Sequence, residues 1–419
     1  MKMGMKIRQL TVQEYGTFLK QRTHVNFLQS VEEYRKLQCD NQNTEIIGFV
    51  DGDVLYGAGI LVYTRYAKLF YKCYVPRGFV FDYRNKEKLE EAVSALKEYL
   101  RERKVAVLTM DPDIVLNYRD KDGNVMRTDH EVEENLKSTG FIQLPLKKGY
   151  DYKWQCRFVS VLNLQGRSED ELFEEFPYHT KRHIRCCDKY CVKTRELDRN
   201  DLSILDEMEK KTCERQKFES MDLDYYNHLY DAFGEDRIKL VYSYLDIEEY
   251  GNRIQNEFKE TSKELVEIRA FLKENPENSK KETKLKKDLE YYDSLEKKLN
   301  QIDTLRKRYG NEVPLSCALF IHFNDEMIYL VGASEYEHKV FKGPYATQWY
   351  MIKKAVELGC TRYNFYGISG CFKPEEEGYG VFDFKRGFNA TVEEYIGNFF
   401  LPVKPVVFKL YKLLKHNQI

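Results

Sequence analysis

The stretch from Asp246 to Tyr309 constrains the fold more than any other part of this chain. Ile254, Phe258, Thr261, Leu265, Ile268 and Leu272 follow alternating steps of four and three, all apolar but for Thr261. That is the heptad spacing of a helix with one packed seam. Leu285, Leu289, Tyr292, Leu295, Leu299, Ile302 and Leu305 continue the pattern after ENPENSKK, whose Pro276 and Asn278 supply a turn. Two such helices must fold back on each other. At 1.5 Å per residue, arms of roughly 25 residues reach about 40 Å, further than a core element of a compact domain extends. An antiparallel coiled-coil hairpin over 246–309 is therefore expected.

The remainder of the 419 residues is long enough for more than one folding unit. A composition of 42% hydrophobic and 32% charged residues excludes a disordered chain, and no apolar run is long enough to span a membrane. A net charge of −1 argues against a uniformly basic, nucleic-acid-coating surface, although local patches remain compatible with it. Ten cysteines without a secretory signal or disulfide-scaffold density point to reduced thiols and a cytoplasmic location. The 32 tyrosines suit grooves for extended, partly polar ligands as well as ordinary core packing.

One order of elements occurs on both sides of the hairpin. IIGFVDG and VLYGAGILVY read as strands around an Asp-Gly turn, followed by a helix near Lys86 to Glu102 and the strand VAVLTMD. CALFIHFND, EMIYLVGAS, a helix from Tyr345 to Leu358 and TRYNFYGI repeat it. The expected class is mixed α/β (α+β), with two lobes similar to the acetyltransferase (GNAT) fold and an inserted helical arm. The first lobe is assigned to 1–150 and the second to 151–245 plus 310–396, with the arm at 246–309 and a tail at 397–419.

Several local patterns carry chemistry. Ser30 and Glu33 have the spacing of a capping box, which starts a helix and places Lys36 one turn later. Asp111 ends a strand in TMDPD, where a carboxylate is either a turn former before Pro112 or a proton acceptor for an ammonium nucleophile. DFKRGFN sets Lys385 and Arg386 before a glycine. Lys181, Arg182, His183, Arg185, Lys189, Lys193 and Arg195 form a basic cluster suited to phosphates or to a solvated helix face. His179, His183, Cys186, Cys187 and Cys191 lie on that same helical stretch rather than in two turn-borne ligand pairs, so no metal is expected. In the tail, Val403, Val406, Val407, Leu410, Leu413 and Leu414 interleave with Lys404, Lys409, Lys412 and Lys415. Such a basic amphipathic helix either rests on an anionic inner membrane leaflet or docks onto the first lobe.

Taken in order, NFLQSVEEYRKL, YVPRGFVFDY, LTMDPDI, the Phe218 to Tyr226 stretch, YLVGAS, LGCTRYNFYGISG and DFKRGFN resemble the Fem (FemABX) family of peptidyltransferases over essentially the whole chain. The arm-bearing, FemA/MurM-like branch matches best. The resemblance implies transfer of Gly, Ala or Ser from aminoacyl-tRNA to the stem-peptide amine, or to a growing bridge, of a peptidoglycan precursor (lipid II or UDP-MurNAc-pentapeptide). It implies that Lys36 contacts the precursor diphosphate, with Arg77 a further candidate in that groove and Tyr225 and Tyr329 lining it. Lys385 would stabilise the oxyanion, and the Phe384 carbonyl would orient the amine. Lys181, Arg182 and Arg185 are candidates for tRNA or precursor phosphates. The sequence departs from the armless relatives at Met221, where they commonly carry an arginine. That departure fits a lipid-linked precursor.

Two other readings compete. Acetyl-coenzyme A transfer would need a glycine-rich diphosphate loop, and no R-x-x-G-x-G/A string is present, so no cofactor is expected. A non-catalytic coiled-coil scaffold would tolerate loss of Lys385.

Overall fold

The computed structural model describes residues 4–67, 69–151, 153–216 and 220–408. Two sheets organise them. The first runs, in spatial order, Lys6–Gln9, Asn43–Asp51, Val54–Ala67, Phe70–Val75, Val105–Met110, Phe399–Pro402 and Ile142–Gln143, with Val80–Phe81 added beside Val54–Ala67. Helix Lys86–Glu102 starts where Asn85 accepts from the Lys88 amide (3.1 Å). Leu89, Ala92, Val93, Leu96 and Leu100, at three- and four-residue spacing, bury one stripe against this sheet. The second sheet runs Val192–Leu197, Ile238–Asp246, Glu312–Phe323, Glu326–Ser334, Arg362–Ile368, Phe158–Asn163, Thr391–Tyr395, Val115–Arg119 and Val125–Thr128. Helix Gly343–Glu357 covers it through Met351, Ile352 and Ala355.

The two-lobed α/β architecture matches the expectation, with two corrections. The strand Phe70–Val75, not read from the sequence, pairs antiparallel with Val54–Ala67 and parallel with Val105–Met110. The hairpin that precedes the first helix is therefore shifted one strand along from the one expected. The lobes also exchange strands. Val115–Arg119 and Val125–Thr128, assigned to the first lobe, join the second sheet through Thr391–Tyr395, whereas Phe399–Pro402 returns to the first sheet between Val105–Met110 and Ile142–Gln143. Contiguous boundaries at 150 and 396 therefore do not describe the sheets. After Phe399–Pro402 the tail begins against the first lobe, where Val403 is buried and Phe408 packs on Phe400. Residues 409–419, which hold most of the expected amphipathic helix, lie outside the described residues.

Helices Ile247–Glu274 and Ser279–Tyr309 pack along each other as the heptads require. Ile254, Thr261, Leu265, Ile268, Leu295, Ile302 and Leu305 are buried, and Phe258 stacks on Tyr292 at 4.4 Å between ring centroids. At the base, Ile247, Tyr250, Ile254, Leu295, Ile302 and Leu305 share a core with Leu245, Val313, Leu315 and Phe341 of the second lobe.

The decisive geometry lies in the parallel strand pairs. In the first lobe Phe70–Val75 and Val105–Met110 stay paired from Tyr71 and Val105 to Val75 and Met110. In the second, Glu326–Ser334 and Arg362–Ile368 pair only from Glu326 to Ile328 and from Arg362 to Asn364. Beyond that point they part. An opening at the carboxyl ends of parallel strands is where α/β folds place ligands, and only the second of these two pairs has one.

Candidate active site

Backbone irregularities shape this opening. Phe320 faces Tyr329 and Leu319 faces Val331, which leaves Leu330 as an extra, bulged residue. The Tyr329 ring stacks on Phe320 (5.2 Å), and its hydroxyl lies where a side chain at position 332 would begin. Only Gly332 permits that placement. On the facing strand Tyr366 adopts φ of 64°, a costly conformation for an aromatic residue. Asn364 Oδ1 accepts from the Tyr366 amide (2.8 Å) and supports the kink.

Lys385 is buried within this opening, on helix Tyr379–Arg386, and its Nζ donates to the Gly367 carbonyl at 2.7 Å. The amine also lies 5.9 Å from the centroid of the Tyr329 ring. Burial without an acidic partner pushes the amine down to about 7, with Cys156 opposing weakly. The same helix end frees the Phe384 carbonyl. The Gly387 amide bonds to Asp383 O (3.3 Å) and that of Phe388 to Lys385 O (3.1 Å), so Phe384 O is passed over. A side chain at Gly387 would crowd it, beginning 3.1 Å from Phe384 O and 2.9 Å from Thr180 Oγ1. The Phe384 ring packs edge-on against Tyr345 (5.1 Å).

Lys36, Tyr225 and Glu33 meet where helices Val31–Cys39 and Leu223–Phe233 bring the lobes together. Lys36 Nζ is 2.8 Å from Asp40 and 4.0 Å from the centroid of the Tyr225 ring. His228 Nδ1 is 2.7 Å from the other Asp40 oxygen. Lys36 is thus a buried, paired cation rather than a surface lysine. The capping box is half made, because Ser30 accepts from the Glu33 amide (2.9 Å) while the Ser30 amide bonds to Phe27 O. Burial raises the Glu33 carboxyl to about 8, opposed by Lys36 and reinforced by Asp40. Met221 is exposed just before Asp222, the cap of the Tyr225 helix; Phe218 and Glu219, at the start of the matched stretch, lie outside the described residues.

Asp111 and Arg77 take places other than those expected. Asp111 is buried and accepts from the Arg77 amide (2.8 Å), the Gln155 amide (3.1 Å) and the Tyr74 hydroxyl (3.0 Å to each oxygen). Desolvation raises its carboxyl, with Arg77 opposing. A buried carboxylate already engaged by three donors clips the lobes together, a structural role rather than that of a base held open for a substrate amine. Arg77 has φ of 57° in its Pro-Arg-Gly turn, donates from Nη2 to Cys156 O (2.8 Å) and lies over Tyr395 (4.1 Å). It too is a strut between the lobes rather than a free phosphate ligand.

Tyr74, Gln155, Cys156 and Tyr366 were not singled out by sequence reasoning, yet they connect the predicted residues. Gln155 accepts from the Tyr366 hydroxyl (3.0 Å) while its amide serves Asp111. The Tyr366 hydroxyl is held up first by burial, with charge from Cys156, Asp111 and Glu33 adding to it. The basic cluster is divided: Lys181, Arg182, His183, Arg185 and Lys189 lie on helix Tyr178–Lys189, whose Thr180 donates to Gly387 O (2.6 Å) and so ties it to the end of the Lys385 helix, whereas Lys193 and Arg195 lie on strand Val192–Leu197. Lys181 pairs with Glu174 (2.9 Å), Lys193 with Glu249 (2.6 Å) and Arg195 with Glu312 (2.6 Å), which reduces the patch. Arg182 and Arg185 are exposed. Among the described residues no group of three or more His, Cys, Asp or Glu is placed to hold a metal, and no helix is long and apolar enough to cross a membrane.

The FemAB family model matches residues 10–416. Aminoacyltransferase FemA of Staphylococcus epidermidis is 30% identical over 414 residues, covering 98% of this chain and 99% of the relative. Its namesake in Staphylococcus aureus is 30% identical over 415 residues and covers 98% of both. The crystal structure of FemX superposes with a TM-score of 0.74 at 25% identity, covering 97% of this chain and 99% of FemX. A match of this extent in sequence and structure places the chain in the FemAB family.

Proposed function

We propose that this protein is an aminoacyltransferase of peptidoglycan bridge synthesis, which moves Ala, Ser or Gly from aminoacyl-tRNA to the side-chain amine of a precursor stem peptide or to the bridge growing on it. The observation that carries this reading is the splayed strand pair with the buried Lys385 amine and the freed Phe384 carbonyl beside it. A neutral acceptor amine attacks the ester carbonyl, a C–N bond forms, and the ribose oxygen leaves with the proton the amine gives up. An aminoacyl ester is already activated, so positioning and charge stabilisation suffice. The Phe384 carbonyl accepts from the attacking N–H. Protonated Lys385 faces the developing oxyanion in a low-dielectric setting, where one donor is worth about 10²–10³ in rate. Arg182 and Arg185, flanking the Lys385 helix, meet tRNA phosphates. The preferred acceptor is lipid-linked, because Met221 supplies no cation for a soluble nucleotide diphosphate.

The test is transfer itself. Purified protein is incubated with Ala-, Ser- or Gly-tRNA and either lipid II or UDP-MurNAc-pentapeptide, and mass spectrometry reads the precursor. A gain of one residue on lipid II is expected. No product with any pair sinks the reading.

A further inference from the structure

The two most exposed aromatic side chains among the described residues stand on the rim of the Lys385 opening. Tyr178 is 74% and Tyr336 57% exposed. Tyr336 follows strand Glu326–Ser334 by two residues, in the connection to helix Gly343–Glu357, and so lies outside the carboxyl ends of the strands that part. Tyr178 opens helix Tyr178–Lys189. Packing links both to the reacting end. The Phe384 ring meets Tyr345 (5.1 Å), Tyr345 meets His183 (4.6 Å), and the Cys187 thiol of the same helix donates to the Lys342 carbonyl (3.5 Å).

The rim between the two rings is cationic. Lys339 Nζ donates to the Tyr336 hydroxyl (2.9 Å) and lies 4.2 Å from its ring centroid, and the Arg215 guanidinium lies 5.1 Å from it. Arg182 is one turn from Tyr178, and Lys342 is three residues past Lys339. None of Arg182, Arg215, Lys339 and Lys342 has an ion-pair partner among the described residues, while the acidic neighbours Glu335 and Glu337 are taken by Lys211 (2.5 Å) and Arg308 (3.0 Å). Uncovered rings interleaved with unpaired cations suit a single nucleic-acid strand, whose bases stack on rings whatever their sequence and whose phosphates meet the charges.

We propose that this rim holds the unpaired nucleotides of the donor RNA that precede the ester, with Tyr178 and Tyr336 as stacking platforms for their bases. The inference rests on the transferase reading above and adds base contacts to its phosphate contacts. The ester sits on the terminal ribose, so the nucleotides before it must leave the opening past its rim. From Tyr329, beside Lys385, to Tyr336 the chain advances about 20 Å, a span that a few nucleotides cover.

Fluorescence anisotropy on the full chain tests it, with two uncharged RNA stem-loops as probes, one carrying an unpaired 3′ tail and one blunt. Wild type is expected to bind the tailed probe about tenfold or more tighter than the blunt one, since each stacked base is worth about fivefold or more. The double variant Tyr178→Ala, Tyr336→Ala should lose most of that preference. Tyr178→Phe with Tyr336→Phe, which keeps both rings, should retain it, and thermal melts confirm that the variants are folded. Lys339→Gln with Lys342→Gln should weaken both probes and flatten their salt dependence. An unchanged preference in the alanine double variant overturns the proposal. So does an alanine double variant that keeps its RNA preference and loses only binding to phosphatidylglycerol vesicles, which would assign the rim to a membrane. Wild type that transfers nothing would defeat the function proposed above, whereas active wild type whose RNA preference ignores the two rings defeats only this inference.

Discussion

Lys385 enters the groove as an amine near its titration midpoint rather than as a permanent cation, and this has a consequence for stability. An unfolded lysine titrates near 10.5, the buried one near 7. Between those values the unfolded chain holds more protons than the folded one, so Lys385 makes the fold gain stability as pH rises from about 7 to about 10.5. At and below pH 7 the full cost of burying the charge is present. Lys385→Met should therefore stabilise the protein most near pH 7 and least near pH 10, read as the difference in urea midpoint between variant and wild type. It should also lower kcat by about 10²–10³. A difference in midpoint that does not depend on pH would show that the amine titrates normally. The residue types at this site were legible from motif and resemblance, but their protonation was not, because desolvation depends on which strands part and not on the string DFKRGFN.

Among elements, the arm was the most legible and the splay the least. A heptad is a local pattern, and the seam residues Ile254, Leu265, Ile268, Leu295, Ile302 and Leu305 are buried as their spacing demands. Coverage is uneven toward the tip, where Leu285 and Leu289 are only partly covered while Leu265 and Ile268 of the facing helix are buried. Leu295, midway along its helix, has no exposed surface and belongs to the core that continues through the base into Val313 and Leu315. Leu295→Ala should cost about 2–5 kcal/mol in urea unfolding, whereas Leu285→Ala at the tip should cost well under half of that. Equal costs would mean that the arm is stabilised evenly along its length. By contrast, nothing in EMIYLVGAS or TRYNFYGI marks where the two strands stop pairing. Asn364 two residues before Tyr366 is the one local sign of the kink, and the missed strand Phe70–Val75 owes its pairing to neighbours on both edges.

At the scale of the molecule, the lobes are joined by exchange rather than by contact alone. The chain crosses from Val105–Met110 of the first sheet into Val115–Arg119 of the second and returns from Thr391–Tyr395 into Phe399–Pro402. Contiguous lobes were the natural expectation, since strand partners this distant in sequence leave no periodic trace. Charged groups hold the crossings. Glu394 is buried between Arg157 and Arg119 (2.6 Å to Arg119), and Asp111 gathers donors from Tyr74, Arg77 and Gln155. This arrangement separates two roles for Asp111 that the sequence left open. As a clip, Asp111→Ala strands three buried donors and should cost about 3 kcal/mol or more, and Asp111→Asn, which keeps an acceptor oxygen, about 1–3 kcal/mol. Both should leave kcat of the folded protein within about threefold at a permissive temperature, because the clip acts through position only and the ester needs no strong base. As a general base, Asp111→Asn would lower kcat by about 10²–10⁴ with the unfolding midpoint unchanged. Denaturant unfolding and transfer rates on the same two variants decide between them, and the three donors already seated on the carboxylate favour a lowered midpoint with the rate kept.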